Sequence, residues 1–198
     1  MSRVRAAVVL AVLASFAVLA TAVVAVVAHR EPRTDEAAQT VTDPGSGASF
    51  EVPGDGWEVR SERSRIYYAD QAGRSVAEVY GAAVFDDGYC AEQPGDSNRG
   101  FAGFTRQSFG TWVGAVSGPG IVVSTGVSHE QVRLADGRRA RLSWVGLMTA
   151  DGPCTATGVE IAMVRAGDIR LVLVADSVDD GTLSHQEIRD VVLSLELP

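Results

Sequence analysis

The side chains best suited to catalysis or metal binding are three histidines, and they stand apart along the chain. His29 follows a long apolar run, His129 lies in a predicted loop before a strand, and His185 falls in the first turn of a predicted helix. None of them has a second histidine or a cysteine at the spacing of zinc ligands. The sequence therefore predicts no metal centre, no cofactor and no catalytic residue.

Serine chemistry is the remaining catalytic alternative. A serine hydrolase often carries its nucleophile on a sharp glycine-flanked turn, and no Gly-x-Ser-x-Gly motif occurs in the chain. Ser108, two residues before Gly110, comes nearest, and a solvated or capping serine explains it better. A hydrolase assembled in space would need His129 or His185 within hydrogen-bonding reach of a carboxylate and a serine.

The N-terminus predicts where the protein resides. Residues 6–28 contain no charge, proline or glycine, and Arg3 and Arg5 precede them. A helix of this length covers about 34 Å, slightly more than the hydrocarbon core of a bilayer. We expect residues 1–5 in the cytoplasm, a transmembrane helix over 6–28 and an extracytoplasmic C-terminal domain. Cleavage as a secretory signal is the alternative, which would make the domain secreted.

The two cysteines, Cys90 and Cys154, both follow the predicted membrane span. Because extracytoplasmic compartments are oxidising, this pair predicts a disulfide. A redox-active cysteine is the alternative, but the chain has neither a Cys-x-x-Cys pair nor a histidine close to either cysteine.

The charge of the chain excludes one class of partner. The formal net charge is −8, and all 17 basic residues are arginine. Such a domain is repelled by nucleic acid, so we expect no nucleic-acid partner. Arg138, Arg139 and Arg141 follow a predicted hairpin turn and form a candidate surface for an anionic partner. Alternatively, they protect an edge strand from aggregation.

Large apolar residues supply a second candidate surface. Phe109, Trp112, Trp144 and Ile188 would form the wall of a cleft for an apolar ligand or lipid between sheet and helix. The alternative is a core role, because each of them lies in an apolar periodic pattern.

The order of elements predicts one folded domain. Residues 29–47 are rich in proline, glycine and polar residues and predict a flexible linker, which leaves 48–198 for the domain. Strands are predicted at 75–85, 131–134, 140–148, 158–164 and 169–175, and a loop at 86–103. Asp136-Gly137 and Gly167-Asp168 are hairpin signals, so the sheet should be mainly antiparallel.

Two helices are predicted to cover the sheet. Ser184 and Glu187 form a capping box, and apolar residues from Ile188 to Leu195 then recur at helical spacing. A weaker pattern spans 106–117, where Gly110 and Gly114 lower the helix propensity. The fold class expected is α+β, a mainly antiparallel sheet covered by one or two helices.

Short motifs resemble those of a known family. They are Phe50 to Pro53 closely followed by Trp57, Tyr89-Cys90, Gly152-Pro153-Cys154 and the Ser194-Leu195 ending. Together they resemble extracytoplasmic domains with a PsbP-like α/β sandwich, such as uncharacterised membrane-anchored domains and LpqN-type lipoproteins of high-GC Gram-positive bacteria. The resemblance implies a non-enzymatic binding or assembly module.

We therefore expect a membrane-anchored extracytoplasmic binding or protein-interaction module at the bacterial cell envelope, with an envelope protein as its partner. A carrier or sensor of an apolar ligand or lipid is the first alternative function. An extracytoplasmic hydrolase is the second.

Overall fold

A computed structural model of the chain describes residues 37–60, 65–69, 75–85, 100–117, 121–124, 126–149, 158–176 and 183–198. These residues all belong to the unit Glu36–Pro198. The predicted transmembrane segment 6–28 lies outside the described residues, as do Cys90 and Cys154. Within the described ranges, no helix is both long enough and apolar enough to cross a membrane.

Strands dominate the described part of the chain. In chain order the elements are β1 (Gln39–Thr42), β2 (Ser49–Val52), β3 (Trp57–Val59), β4 (Arg65–Ala69), β5 (Ser75–Phe85), β6 (Gly100–Phe104), α1 (Phe109–Val116), β7 (Ile121–Ser124), β8 (Ser128–Arg133), β9 (Arg139–Thr149), β10 (Gly158–Ala166), β11 (Ile169–Asp176) and α2 (His185–Leu193). The fold class is α+β, as predicted.

Most strands form one antiparallel sheet. Its order is β3-β5-β6-β11-β10-β9-β7, with β4 also on β5 and β8 also on β9. The β8–β9 and β10–β11 hairpins turn at Gly137 and Gly167, whose φ angles are 81° and 61°. Glycine adopts these left-handed conformations without the steric cost of a Cβ, and both turn predictions are confirmed.

Both faces of the sheet are buried, which explains why the central strands are continuously apolar. Side chains of successive strand residues point to opposite faces. In β9, Leu142 and Trp144 belong to one hydrophobic core, while Val145 and Leu147 belong to the other. We call these the α2 face and the α1 face after the helix that packs on each.

The α2 face is covered by helix α2 and the small sheet β1–β2. Ser184 Oγ accepts the N–H of Glu187, and the Glu187 carboxylate accepts the N–H of Ser184, so the predicted capping box is confirmed. The apolar stripe that follows is buried, with Ile188 and Val192 fully inaccessible to solvent. The amphipathic pattern therefore directed this helix onto the sheet.

Helix α1 covers the opposite face and begins at Ser108, whose hydroxyl accepts the N–H of Thr111. Trp112 anchors this helix because its side chain is fully buried against Phe101 and donates a 3.1 Å hydrogen bond to Thr105 Oγ1. A buried indole N–H needs such a partner. The weaker helix prediction is thus confirmed, with a start three residues later than predicted.

The linker prediction for 29–47 is wrong from Gln39 onwards. Strand β1 pairs with β2, and Val41 is buried. The proline, glycine and serine residues that suggested a linker form the tight turn between these strands, where the Asp43 carboxylate accepts the N–H groups of Gly45 and Ser46 at 3.0 Å. Turns and linkers share these residue types, and only the pairing distinguishes them.

The loop prediction for 86–103 is wrong at its end, because β6 begins at Gly100 and lies between β5 and β11. This strand is rich in glycine, which weakens any strand pattern. The packing explains one of the glycines, since a Cβ on Gly103 would lie 2.9 Å from Val79 Cβ. The close approach of β5 and β6 requires glycine there.

Candidate binding groove

Three arginines form a row across neighbouring strands on the α1 face. Arg141 of β9 lies directly opposite Arg165 of β10, and Arg165 lies directly opposite Arg170 of β11. We call these residues the arginine row. Like charges directly opposite each other across strands are destabilising, so the row opposes folding where it stands.

The arginine row has no acidic counterpart within the described ranges: no described carboxylate forms an ion pair with Arg141, Arg165 or Arg170. Arg165 Nε donates to the carbonyl of Gly167 at 3.0 Å, and Arg170 Nη1 makes a longer 3.5 Å contact with the carbonyl of Arg106. These carbonyls orient the guanidinium groups of Arg165 and Arg170 without neutralising their charge. The other N–H groups of each planar guanidinium can donate in pairs to the two oxygens of a carboxylate or phosphate.

Apolar side chains line the same depression, a groove of about 550 Å³ between the first half of α1 and the sheet. Phe109 and Val113 come from α1, Met163 comes from β10, and Val127 precedes β8. Val127 is 51% exposed, so part of its apolar surface faces solvent at the groove. The groove therefore combines an apolar side with a cationic side.

Two polar side chains join these halves. Ser143 is buried, and its hydroxyl lies 2.9 Å from Nδ1 of His129. The ring of His129 packs edge-on against Phe109, with ring centroids 6.2 Å apart. Within the described part of the chain no carboxylate bonds to His129, so this serine–histidine pair lacks the acidic group that orients a catalytic histidine.

The first turn of α1 also borders the groove through Ser108, Phe109 and Gly110. The first intrahelical hydrogen bond runs from the N–H of Trp112 to the carbonyl of Ser108. Of the amides before it, the N–H of Thr111 donates to the Ser108 hydroxyl, and the helix dipole at this end favours an anion. The helix dipole and the arginine row therefore both favour a negatively charged group in the groove.

The other described histidine lies on the opposite face. His185 stacks on Trp144 with ring centroids 4.0 Å apart, and its Nδ1 is 3.4 Å from Glu160 Oε2. The groove does not include these residues, and no group of three potential metal ligands occurs among the residues that the structure describes.

The four apolar residues predicted to form one cleft wall are divided between two cores. Phe109 and Trp112 lie on the α1 face, whereas Trp144 and Ile188 lie on the α2 face. Trp112 and Ile188 are fully buried, so they fill cores rather than line a cleft. Only Phe109 of this set borders the groove.

The arginine triplet predicted from the sequence is also divided. Arg138 contacts Asp136 and donates to the carbonyl of Pro198 at 3.0 Å, so it connects a hairpin turn to the last residue. Arg139 lies opposite Arg133, beyond the groove. Only Arg141 lines the groove, and sequence reasoning missed its two neighbours, Arg165 and Arg170. Strand register alone brings the three together.

Comparison with known protein families places the chain. A family model described as a domain of unknown function, DUF8017, matches residues 31–197. No curated protein matches the chain significantly. The family match extends over nearly all of the described fold, including strand β1. The family description assigns no activity. The chain belongs to the DUF8017 family.

Proposed function

We propose that this chain is a membrane-anchored extracytoplasmic binding module of the bacterial cell envelope, and that it binds through the groove beside α1. Residues 6–28 anchor it, with residues 1–5 in the cytoplasm and the folded unit outside. A disulfide between Cys90 and Cys154 stabilises that unit. The apolar run with its preceding arginines and the presence of two cysteines support these assignments.

The fold is proposed to be a PsbP-like sandwich, related to the membrane-anchored domains and lipoproteins that the sequence motifs resemble. An antiparallel sheet with one helix on each face supports this assignment. The assignment favours binding or assembly over catalysis.

One observation carries the binding role: the arginine row stands unneutralised, within the described residues, beside an apolar groove in a chain of net charge −8. A row of like charges costs stability and contributes nothing to the core. Residues that oppose folding in this way are characteristic of functional sites. We infer that the row is kept for an anionic ligand or partner.

Intact-mass measurement of the full chain, extracted from its own membrane, tests the anchoring. The proposal predicts a mass that retains residues 1–30 and is two hydrogens short of the reduced chain. A mass that lacks the N-terminal segment would make the domain secreted and overturn the membrane-anchored part of the proposal.

Site-specific photo-crosslinking in the native membrane tests the groove. A photoreactive residue at Val127 is expected to form an adduct with the bound molecule. The same residue at Met148 is the control, because Met148 is exposed to a similar extent and does not line the groove. Equal labelling at both positions would contradict binding in the groove.

One contact favours a second candidate, an extracytoplasmic hydrolase: the 2.9 Å approach of Ser143 Oγ to His129 Nδ1. Ser143 is only 7% exposed, which limits the access of a substrate to its hydroxyl. A fluorophosphonate probe separates the two functions. Labelling that is lost in Ser143→Ala would identify a hydrolase, whereas an unlabelled protein that binds in its groove is a binding module.

A further inference from the structure

We infer that the groove binds a small amphipathic oxyanion, a molecule with one phosphate or carboxylate head and one short apolar chain. This inference rests on the proposed binding function and specifies the ligand of the same site. The anionic head of the ligand lies against Arg141, Arg165 and Arg170. The apolar chain of the ligand lies against Phe109, Val113 and Met163.

The spacing of the arginine row indicates a single compact head. Neighbouring strands are about 4.8 Å apart, so three consecutive strands place the outer arginines only about 10 Å apart. The side chains are long enough to converge on one oxyanion from that distance. A polyanion would require cationic groups distributed along its length, and the charge of −8 on the chain opposes such a partner.

The apolar side of the groove indicates a chain attached to that head. Phe109 and Val113 are half-buried, and Val127 is 51% exposed, so a ligand would remove their apolar surface from water. A volume of about 550 Å³ lies in the size range of small-molecule sites. The groove is thus of a size for a small molecule.

The polar junction between the two halves suits the point where head and chain meet. Ser143 follows Arg141 by two residues on β9 and lies directly opposite Met163, and both Ser143 and His129 line the groove. His129 is exposed, so its Nε2 side is available to hydrogen-bond an oxygen of the head. The Ser143 hydroxyl is thus next to both a cationic and an apolar lining residue of the groove.

Calorimetric titration tests this inference with the full chain in nanodiscs of zwitterionic lipid. The probes are octyl phosphate and octanoate, with inorganic phosphate as the head without a chain and octanol as the chain without a head. At least one headed probe is expected to bind ten times more tightly than both inorganic phosphate and octanol. The tighter of the two headed probes identifies a phosphate or a carboxylate head.

Two variants that each remove one positive charge test where the ligand binds. Arg165→Gln removes the centre of the row and should weaken binding of the headed probe at least tenfold. Arg60→Gln makes the same change in an arginine that pairs with Glu58 at 3.1 Å outside the groove, and should bind like the wild type. Melting curves of both variants establish that they are folded.

Three results would overturn the inference: no saturable binding of either headed probe, equal binding of octanol, or unchanged binding by folded Arg165→Gln. An adduct at Val127 without binding of the headed probes would leave the proposed binding function standing and reject only this ligand class. Equal adducts at Val127 and Met148 together with absent probe binding would reject both.

Discussion

Arg165 lies directly opposite Arg141 across the β9–β10 pairing, and no described carboxylate neutralises either residue. Like charges opposed across strands lower the stability of the fold. Arg133 and Arg139 form another such pair outside the groove, whereas Arg141 and Arg165 border a groove with an apolar side. The proposed ligand would offset this repulsion, because a bound oxyanion accepts hydrogen bonds from both guanidinium groups and neutralises their charge.

Removing this repulsion should stabilise the ligand-free protein. Arg165→Gln is expected to raise the free energy of unfolding by about 0.2–1 kcal/mol, the range for a cross-strand charge pair. For a domain of this size that corresponds to a rise in Tm of about 0.5–4 °C. Thermal melting checks it, with Arg60→Gln as the control, which should melt at or slightly below the wild-type temperature. A lower Tm for Arg165→Gln would show that the row supports the fold.

The two aromatic residues of α1 should differ in their roles. Trp112→Ala removes a fully buried side chain and should cost about 3–5 kcal/mol of stability. Phe109→Ala should cost less, because Phe109 is half-buried, and should weaken binding of the amphipathic probe. Urea denaturation and calorimetry measure both effects. Equal destabilisation by the two changes would place Phe109 in the core rather than at the groove.

The capping box of α2 should contribute measurably to stability. Ser184→Ala removes the acceptor for the N–H of Glu187 and should lower the free energy of unfolding by about 1 kcal/mol. Gln186→Ala is the matched control, since Gln186 is exposed in the same turn and only bonds to Asp190. A difference of less than a few tenths of a kcal/mol between the variants would mean that packing alone holds the helix.

Acid should loosen the contact between the β8–β9 turn and the last residues of the chain. The pKa of Asp136 lies below its usual value, chiefly because the N–H of Arg138 donates to its carboxylate at 2.9 Å, and the N–H of Leu197 adds to this effect. A lowered folded-state pKa means that the ionised carboxylate stabilises the fold above the unfolded pKa of about 3.9. That contribution is lost as the pH falls through the lower, folded-state pKa.

Melting curves collected between pH 5 and pH 3 measure this effect. The Asp136→Asn variant should lose less stability over that interval than the wild type. Identical slopes for the variant and the wild type would show that the Asp136 contacts do not persist in solution.

Local signals in the sequence predicted the fold where short-range chemistry decides the structure. The Ser184 and Glu187 capping box and the glycines at 137 and 167 act within a few residues, so the helix and both hairpins could be predicted. Strand β6 could not, because Gly103 is required by a close approach to β5 that no residue adjacent in sequence reveals. Its position in the sheet depends on contacts that are distant in sequence.

The candidate site was predictable only in part for the same reason. The run of Arg138, Arg139 and Arg141 predicts a cationic surface, yet only Arg141 of the three lines the groove. Arg165 and Arg170 flank the other hairpin, and each is unremarkable by itself. Their meeting with Arg141 depends on the register of two strand pairs, which residue spacing does not specify.

The most direct test of the central claim compares melting of the wild type and Arg165→Gln with and without the tighter of octyl phosphate and octanoate. Without the probe, the variant should melt at the higher temperature. At a saturating concentration the order should reverse, because a ligand stabilises only the protein that binds it. An equal upward shift in both proteins, or none in the wild type, would contradict binding at the arginine row.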